Sequence, residues 1–172
     1  MTFTLTDDSA LLKPLGLGAR SAANRIFMAP LTRGRAAADG TPSDLQVEYY
    51  AERSAAGLII TEATAVSLAG NGAYANTPGI YTEAHQRKWA EVADAVHGRD
   101  GLIFMQIWHV GRMGHPDISG EQPVAPSPIA AGMTAHTPTG KKPLPGPRPL
   151  ATSQIPDIVA QFPTAARRAV DA

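Results

Sequence analysis

Polar and aromatic side chains that could bind a planar ligand occur in three short apolar segments, residues 25–32, 58–66 and 102–110. Gln106 carries an amide that both donates and accepts hydrogen bonds, and the hydroxyl of Thr32 has the same double capacity. Trp108 offers a large flat apolar wall with one donor. If Gln106 is buried, these residue types suit a heterocycle with N–H and C=O groups on its edge. The alternative is that Thr32 and Gln106 satisfy nearby backbone groups and Trp108 fills the core.

The three segments are predicted to be strands of a parallel sheet. Their nearly continuous apolarity is typical of strands that are covered on both faces. A helix separates each strand from the next, so the predicted order is strand, helix, strand, helix, strand. Crossovers of this length favour right-handed parallel units. The fold class is therefore α/β, and its ligands are expected at the carboxyl ends of the strands.

Both intervening helices have sequence signals at their ends. Ser43-Asp44-Leu45-Gln46 is a capping-box pattern that predicts a helix reaching about Ala56, with Gly57 in the positive-φ position that follows a helix. The second helix is predicted to begin near Thr82 and to end at Gly98 or Gly101. Its apolar stripe, at i, i+3, i+4 and i+7, consists of Trp89, Val92, Ala93 and Val96.

Residues 111–151 differ in composition from what precedes them, with nine of the fifteen prolines and six of the sixteen glycines. We predict a loop without helix or strand that caps the carboxyl end of the sheet, because loops of about 40 residues are uncommon unless they are functional or disordered. Residues 153–172 are predicted to be helical, with Pro163 kinking the helix or delaying its start.

Composition and charge exclude several functional classes. Fifteen basic side chains balance fifteen acidic ones, which gives no electrostatic argument for nucleic acid or an anionic membrane. The absence of cysteine excludes disulfides, thiolate metal sites and thiol nucleophiles. No secretory signal and no membrane-spanning segment can be recognised, so a cytoplasmic protein is expected. The patterns of Rossmann, P-loop and α/β-hydrolase sites do not occur, and no metal site is predicted.

The sequence resembles the N-terminal part of the Old Yellow Enzyme family of FMN-dependent ene-reductases. The resemblance covers nearly the whole chain, in the family's order. It rests on NRIFMAPLTRGRA (24–36), EYYAERSAAGLIITEAT (48–64), TPGIYT (77–82), IFMQIWHVGRMGHP (103–116) and PVAPSPI (123–129). It implies that residues 1–172 form the first three βα units of a (β/α)8 TIM barrel with FMN at its mouth, closed only by a complementary chain or segment.

The resemblance also assigns site residues. Thr32 would hydrogen-bond near flavin N5 and O4 and tune the flavin, and Gln106 would hydrogen-bond its pyrimidine edge. The remaining cofactor-binding residues would be Pro30, Leu31 and Ala63. Tyr74 and Trp108 would line the substrate pocket. His109 belongs to the third-strand motif and is not expected to replace the family's histidine pair, which lies on later strands.

In the reaction that the resemblance implies, NADPH (or NADH) reduces FMN, which then reduces an activated alkene such as an enone, nitroalkene or maleimide. The proton-donating tyrosine, the arginine near flavin N1 and the flavin phosphate site would lie beyond the third strand. A barrel typically needs about 250 residues. A second polypeptide is therefore expected to supply strands four to eight, unless the chain is a fragment. The alternatives are a related flavin barrel oxidoreductase, similar to dienoyl-CoA reductase, or a truncated protein without catalysis.

Overall fold

The computed structural model describes residues 9–172. Residues 1–8, in which no secretory signal was recognised, lie outside the described residues. The strands are β1 (Leu15–Leu17), β2 (Arg20–Ala22), β3 (Phe27–Met28), β4 (Leu58–Ile60), β5 (Thr64–Ala65), β6 (Ile103–Phe104), β7 (Ile107–Trp108), β8 (Val124–Ala125), β9 (Thr134–Thr137), β10 (Gly140–Pro143) and β11 (Arg148–Pro149). The α-helices are α1 (Asp44–Ala51), α2 (Glu83–His97), α3 (Pro116–Ser119) and α4 (Ile155–Asp171). The predicted α/β order is confirmed.

The central sheet is parallel, with strand order β3-β4-β6, and it continues as the parallel pair β5–β7. The predicted second strand is thus divided into β4 and β5, and the third into β6 and β7. Side-chain hydrogen bonds occupy the break, because the Thr61 hydroxyl accepts from the Gln106 backbone N–H at 3.1 Å. The Thr61 and Thr64 hydroxyls both donate to the Glu62 carbonyl, each at 3.0 Å. These bonds satisfy backbone groups where the regular ladder is interrupted.

We predicted that all three strand segments would be covered on both faces, and this prediction is wrong for two of them. Only the middle segment is buried, with Leu58 and Ile59 inside the core. Phe27 of β3 and Phe104 of β6 remain exposed, since neither edge strand has a further neighbour within residues 9–172. The described sheet is therefore open at both edges.

Helix α1 begins where the capping box predicts, but only half of the box forms. The Gln46 side chain accepts from the Ser43 backbone N–H at 2.9 Å, whereas the buried Ser43 hydroxyl has no partner among the described residues. The helix ends at Ala51 rather than near Ala56. Gly57 is not among the residues with positive φ. A side chain there would overlap the Asn24 backbone carbonyl, so Gly57 is needed for close approach rather than for a helix cap.

Helix α2 agrees with the sequence at both ends and supplies three of the eight residues of the buried core cluster. The Thr82 hydroxyl caps it by accepting from His85 N–H at 3.1 Å, and Gly98 follows its last residue. Trp89, Val92 and Val96 are buried on its predicted apolar face. The core cluster consists of Tyr50, Ile59, Val66, Ile80, Trp89, Val92, Val96 and Ala165, contributed by α1, the middle strand segment, the loop before α2, α2 itself and α4.

Helix α4 runs continuously through Pro163, so the prediction that this proline would delay its start is wrong. Eight residues of the helix precede the proline, and Ala165 after it is buried against the core. Packing of an apolar face thus outweighs the one backbone hydrogen bond that proline cannot make. Within residues 9–172, no helix is both long and apolar enough to span a bilayer.

Residues 111–151 contain regular structure, contrary to the prediction of a loop without helix or strand. Helix α3 is followed by the antiparallel hairpin β9–β10, and β11 pairs in parallel with β8. Proline is tolerated because these strands are two to four residues long and lie in two-stranded pairs. The segment contacts the turn that follows β5, where His115 N–H donates to the Gly72 carbonyl at 3.0 Å. Its role as a cap of the barrel mouth stays a prediction.

Candidate functional site

The sheet brings the ends of the three predicted strands side by side. Met28 pairs with Ile59, Ile60 with Phe104, and Ala65 with Trp108. Residues 29–33, 61–64 and 106–109 consequently leave or flank neighbouring strands at the same end of the sheet. This is the end at which parallel α/β proteins bind ligands.

Apart from Ala63, the residues expected to bind the flavin are exposed or half-buried at this end. Leu31 is 57% exposed, Pro30 is exposed, and Thr32 is half-buried. Ala63 is only 5% exposed, so little of its surface is accessible to a ligand. The apolar surface of Pro30 and Leu31, together with the small residue Ala63, fits one face and one edge of a planar ring.

Gln106 is exposed in the structure, which contradicts its interpretation as a buried amide. The physical reason is its place on the open side of the sheet, where no neighbouring strand covers the third segment within residues 9–172. Its backbone is fixed on both sides, because its N–H donates to the Thr61 hydroxyl at 3.1 Å and its carbonyl accepts from Thr64 N–H at 2.9 Å. No hydrogen bond of its side-chain amide is found among the described residues. The amide is therefore available to a ligand.

The rings of Tyr74 and Trp108, the two residues expected in the substrate pocket, lie next to each other. Their rings are parallel to within 6°, with centroids 6.4 Å apart. Tyr74 is 55% exposed, while Trp108 is half-buried. The indole N–H of Trp108 is buried and lacks a partner in the described part of the chain.

His109 follows Trp108 in the sequence, and its ring lies against Gly70 in the turn after β5. Its Nδ1 accepts from Gly111 N–H at 3.0 Å, and burial lowers the pKa of the imidazole. A ring that accepts at Nδ1 carries its proton on Nε2 when neutral. That Nε2 is buried without a partner among residues 9–172, and the neutral ring is not suited to act as a cationic electrophile.

Glu62 is the main feature that the sequence interpretation left without a role. It was placed at the end of the second strand, but its side chain is fully buried and accepts hydrogen bonds from three donors. Two of these donors come from α1, and the third is the backbone N–H of Arg33, next to Thr32. A single carboxylate inside the apolar run LIITEATAV was the available signal.

The chemistry of these residues fits a flavin. Thr32 and Gln106 provide hydrogen-bonding groups that have no side-chain partner among the described residues, and Pro30, Leu31 and Ala63 provide apolar contact. The described residues contain no group of three histidine, aspartate or glutamate side chains that could hold a metal ion. What the arrangement can do alone is bind and orient one side of a planar redox cofactor.

Comparison with known proteins gives consistent matches along the chain. Residues 10–172 match the model of the NADH:flavin oxidoreductase / NADH oxidase family. An Old Yellow Enzyme homologue from Zymomonas mobilis is 47% identical, with a TM-score of 0.91 over 94% of this chain and 45% of its own. Morphinone reductase, solved in complex with tetrahydroNAD, is 44% identical, with a TM-score of 0.87 over 95% of this chain and 47% of its own.

A curated relative matches over similar fractions of this chain and of its own length. A probable flavin mononucleotide-dependent alkene reductase from Leishmania infantum is 38% identical over 169 residues, which are 94% of this chain and 46% of the relative. The chain thus spans less than half the length of each of these relatives.

Proposed function

The chain belongs to the NADH:flavin oxidoreductase / NADH oxidase family, and we propose that it supplies the first three βα units of an FMN-dependent ene-reductase barrel. The single observation that carries this proposal is the convergence of Thr32, Ala63 and Gln106 at the ends of three adjacent parallel strands. The likeness to morphinone reductase and to an alkene reductase supports the same reaction class.

Bound FMN would accept hydride from a nicotinamide and deliver it to an activated C=C bond. The residues of this chain would bind and orient it. Gln106 would exchange hydrogen bonds with the pyrimidine edge, Thr32 would donate near the redox-active ring atoms, and Ala63 would pack against the ring. NADPH is proposed as the reductant, with NADH as the alternative, and enones, nitroalkenes and maleimides as substrates.

Tyr74 and Trp108 would form one wall of the alkene pocket. Their stacked rings provide a flat apolar surface that excludes water from one side of the site. The groups that protonate the alkene and hold its activating oxygen are proposed to come from outside this chain, together with the flavin phosphate site. A related flavin barrel oxidoreductase that resembles dienoyl-CoA reductase would use the same flavin contacts with another pocket.

The complementary part of the barrel is proposed to bind in a groove of about 840 Å³ beside the third strand. The groove is lined mainly by apolar side chains of α2, β6 and α4, among them Trp89, Val92, Ile103, Phe104, Ala166 and Ala169. An exposed apolar strand edge next to such a groove is suited to pairing with a further strand. Whether the complement is a second polypeptide or a continuation of the same one makes no difference to this contact.

Replacement of Gln106 by alanine is expected to weaken FMN binding by about tenfold or more. The loss leaves polar atoms of the flavin edge unpaired in the closed site, at a cost of about 1–3 kcal/mol. Fluorescence titration of FMN into the assembled protein measures the effect. Gln86→Ala on α2 is the matched control, since it deletes the same amide from a half-buried position away from the strand ends. Equal FMN affinity in Gln106→Ala and the wild type would remove Gln106 from the site.

Replacement of Thr32 by alanine is expected to change the flavin reduction potential and the rate of one half-reaction without loss of the fold. The half-buried hydroxyl has no partner among the described residues, so its removal leaves the surrounding packing nearly intact. Stopped-flow absorbance separates reduction by the nicotinamide from oxidation by the alkene. If both half-reactions match those of the wild type, the role of Thr32 is only structural.

A further inference from the structure

The buried carboxylate of Glu62 joins three separate parts of the chain. Its Oε1 accepts from the Gln46 side-chain amide at 2.8 Å and from the Tyr50 hydroxyl at 3.3 Å, both on α1. Its Oε2 accepts from the Arg33 backbone N–H at 2.9 Å. Glu62 itself belongs to the middle strand segment, between Thr61 and Ala63.

The donors to this carboxylate are themselves fixed. Gln46 accepts from the N-cap residue of α1 through its other side-chain atom, and the Tyr50 hydroxyl accepts from the Glu62 backbone N–H at 2.8 Å. Burial, and next the negative Glu62 carboxylate, raise the pKa of Tyr50 far above its ordinary value, so the hydroxyl keeps its proton. Gln46, Tyr50 and Glu62 are each at most 1% exposed.

No ion pair to Glu62 is found within residues 9–172, although the side chain is completely buried. Burying a carboxylate is costly, and an apolar residue of similar volume is often at least as good for stability. The carboxylate must therefore provide something that an apolar residue cannot. An apolar residue would leave all three donors without this acceptor. Two of them are side chains, which could be replaced together with Glu62, whereas the third is the backbone N–H of Arg33 in a segment without regular structure.

Arg33 is held from its other end as well. Its guanidinium lies 4.9 Å from the centre of the Tyr49 ring on α1. Arg33 is thus fixed to the middle strand through its backbone amide and to α1 through its side chain. Thr32 is the residue immediately before this fixed point.

We propose that Glu62 is a positioning residue for the flavin, holding the segment that carries Pro30, Leu31 and Thr32 in register with Ala63 on the neighbouring strand. The inference rests on the proposed function, because it assigns these residues to the flavin site. Glu62 acts through Thr32 and the adjacent backbone, and it does not itself contact the cofactor.

The test is Glu62→Gln in the assembled protein, that is, this chain together with the part that completes its barrel. Glutamine keeps the shape, but one of its two terminal atoms becomes an N–H donor facing either Arg33 N–H or the Gln46 amide. We expect about tenfold weaker FMN binding and a change in reduction potential in the same direction as in Thr32→Ala. In the double variant Thr32→Ala/Glu62→Gln, the change in reduction potential should be smaller than the sum of the changes in the two single variants.

Two controls separate positioning from general damage. Glu52→Gln makes the same chemical change on an exposed side chain just after α1, and should leave FMN binding and potential unchanged. Tyr50→Phe removes two hydrogen bonds from the same buried network but leaves the Arg33 contact in place. It should lower the temperature of unfolding without the change in potential. Equal changes in potential for Tyr50→Phe and Glu62→Gln would overturn the inference.

Hydrogen exchange without FMN provides a readout that does not depend on the flavin. Residues 30–33 should exchange faster in Glu62→Gln than in the wild type, and unchanged exchange would overturn the inference. If the wild-type assembly binds no FMN, the proposed function fails while this measurement still decides the role of Glu62.

If Glu62→Gln does not fold, the hydrogen exchange of the Arg33 amide is measured in the wild type alone. We expect exchange at least about tenfold slower than in an unstructured peptide, and an unprotected amide would contradict the inference.

Discussion

Purified alone, the chain is expected to self-associate or aggregate and to reduce no activated alkene. The edge of β6 and the groove between α2 and α4 expose apolar surface that a complete barrel would bury. Mixed with the part that completes the barrel, the chain is expected to bind FMN and to reduce an activated enone with NADPH. The interface should resemble a domain core cut in half, with roughly 2,000–5,000 Å² of buried surface.

Size-exclusion chromatography, flavin absorbance and enone turnover, each measured with and without the complement, check this expectation. The chain mixed with an unrelated barrel half is the control for nonspecific rescue. A monodisperse monomer that is yellow and catalytically active alone would contradict the requirement for a complement. Assembly without FMN binding would instead retain the barrel and contradict the flavin site.

The order of the elements could be predicted because each crossover contains its own local signals. Thr82 and Gly98 mark the ends of α2, and the 3.6-residue spacing of Trp89, Val92 and Val96 identifies its buried face. These signals lie within about one helix length, so they depend little on the rest of the protein. The same is true of the start of α1 at Ser43.

What the sequence did not predict depends on contacts between distant segments. Gly57 follows a helix pattern, yet its small size is required by Asn24, 33 residues earlier. Gln106 is exposed because a neighbour of the third strand is absent from the described residues, although its apolar surroundings in sequence suggested burial. Periodicity reports which face an element buries, but not whether a partner is present to cover it.

The candidate site was predicted unevenly for a similar reason. The resemblance pointed to Thr32, Ala63 and Gln106, and the strand register brings their segments to one end of the sheet. It gave no role to Glu62, whose importance comes from donors 12, 16 and 29 residues away in the chain. A residue that positions others has few local sequence signals, because its partners are defined only by the fold.

Replacement of Phe104 by aspartate is expected to prevent assembly with the complementary part while leaving this chain able to fold. Phe104 is 44% exposed and lines the groove beside the open edge of β6, so a charge there meets solvent in the isolated chain. In the closed barrel the same position is expected to be covered by the next strand. Loss of a buried phenylalanine alone costs about 3–5 kcal/mol, and an unpaired buried charge adds to that penalty.

The affinity between the two parts should therefore fall by at least about a hundredfold, with FMN binding and enone turnover lost together at concentrations where the wild type assembles. Titration of the complement, followed by light scattering or calorimetry, measures the affinity directly. Leu45→Asp is the matched control, because Leu45 is 60% exposed on α1 and lies outside this groove. Circular dichroism should show that both variants keep the secondary structure of the parent chain. If Phe104→Asp assembles as tightly as Leu45→Asp, the complement does not bind at this edge, and the barrel must close elsewhere.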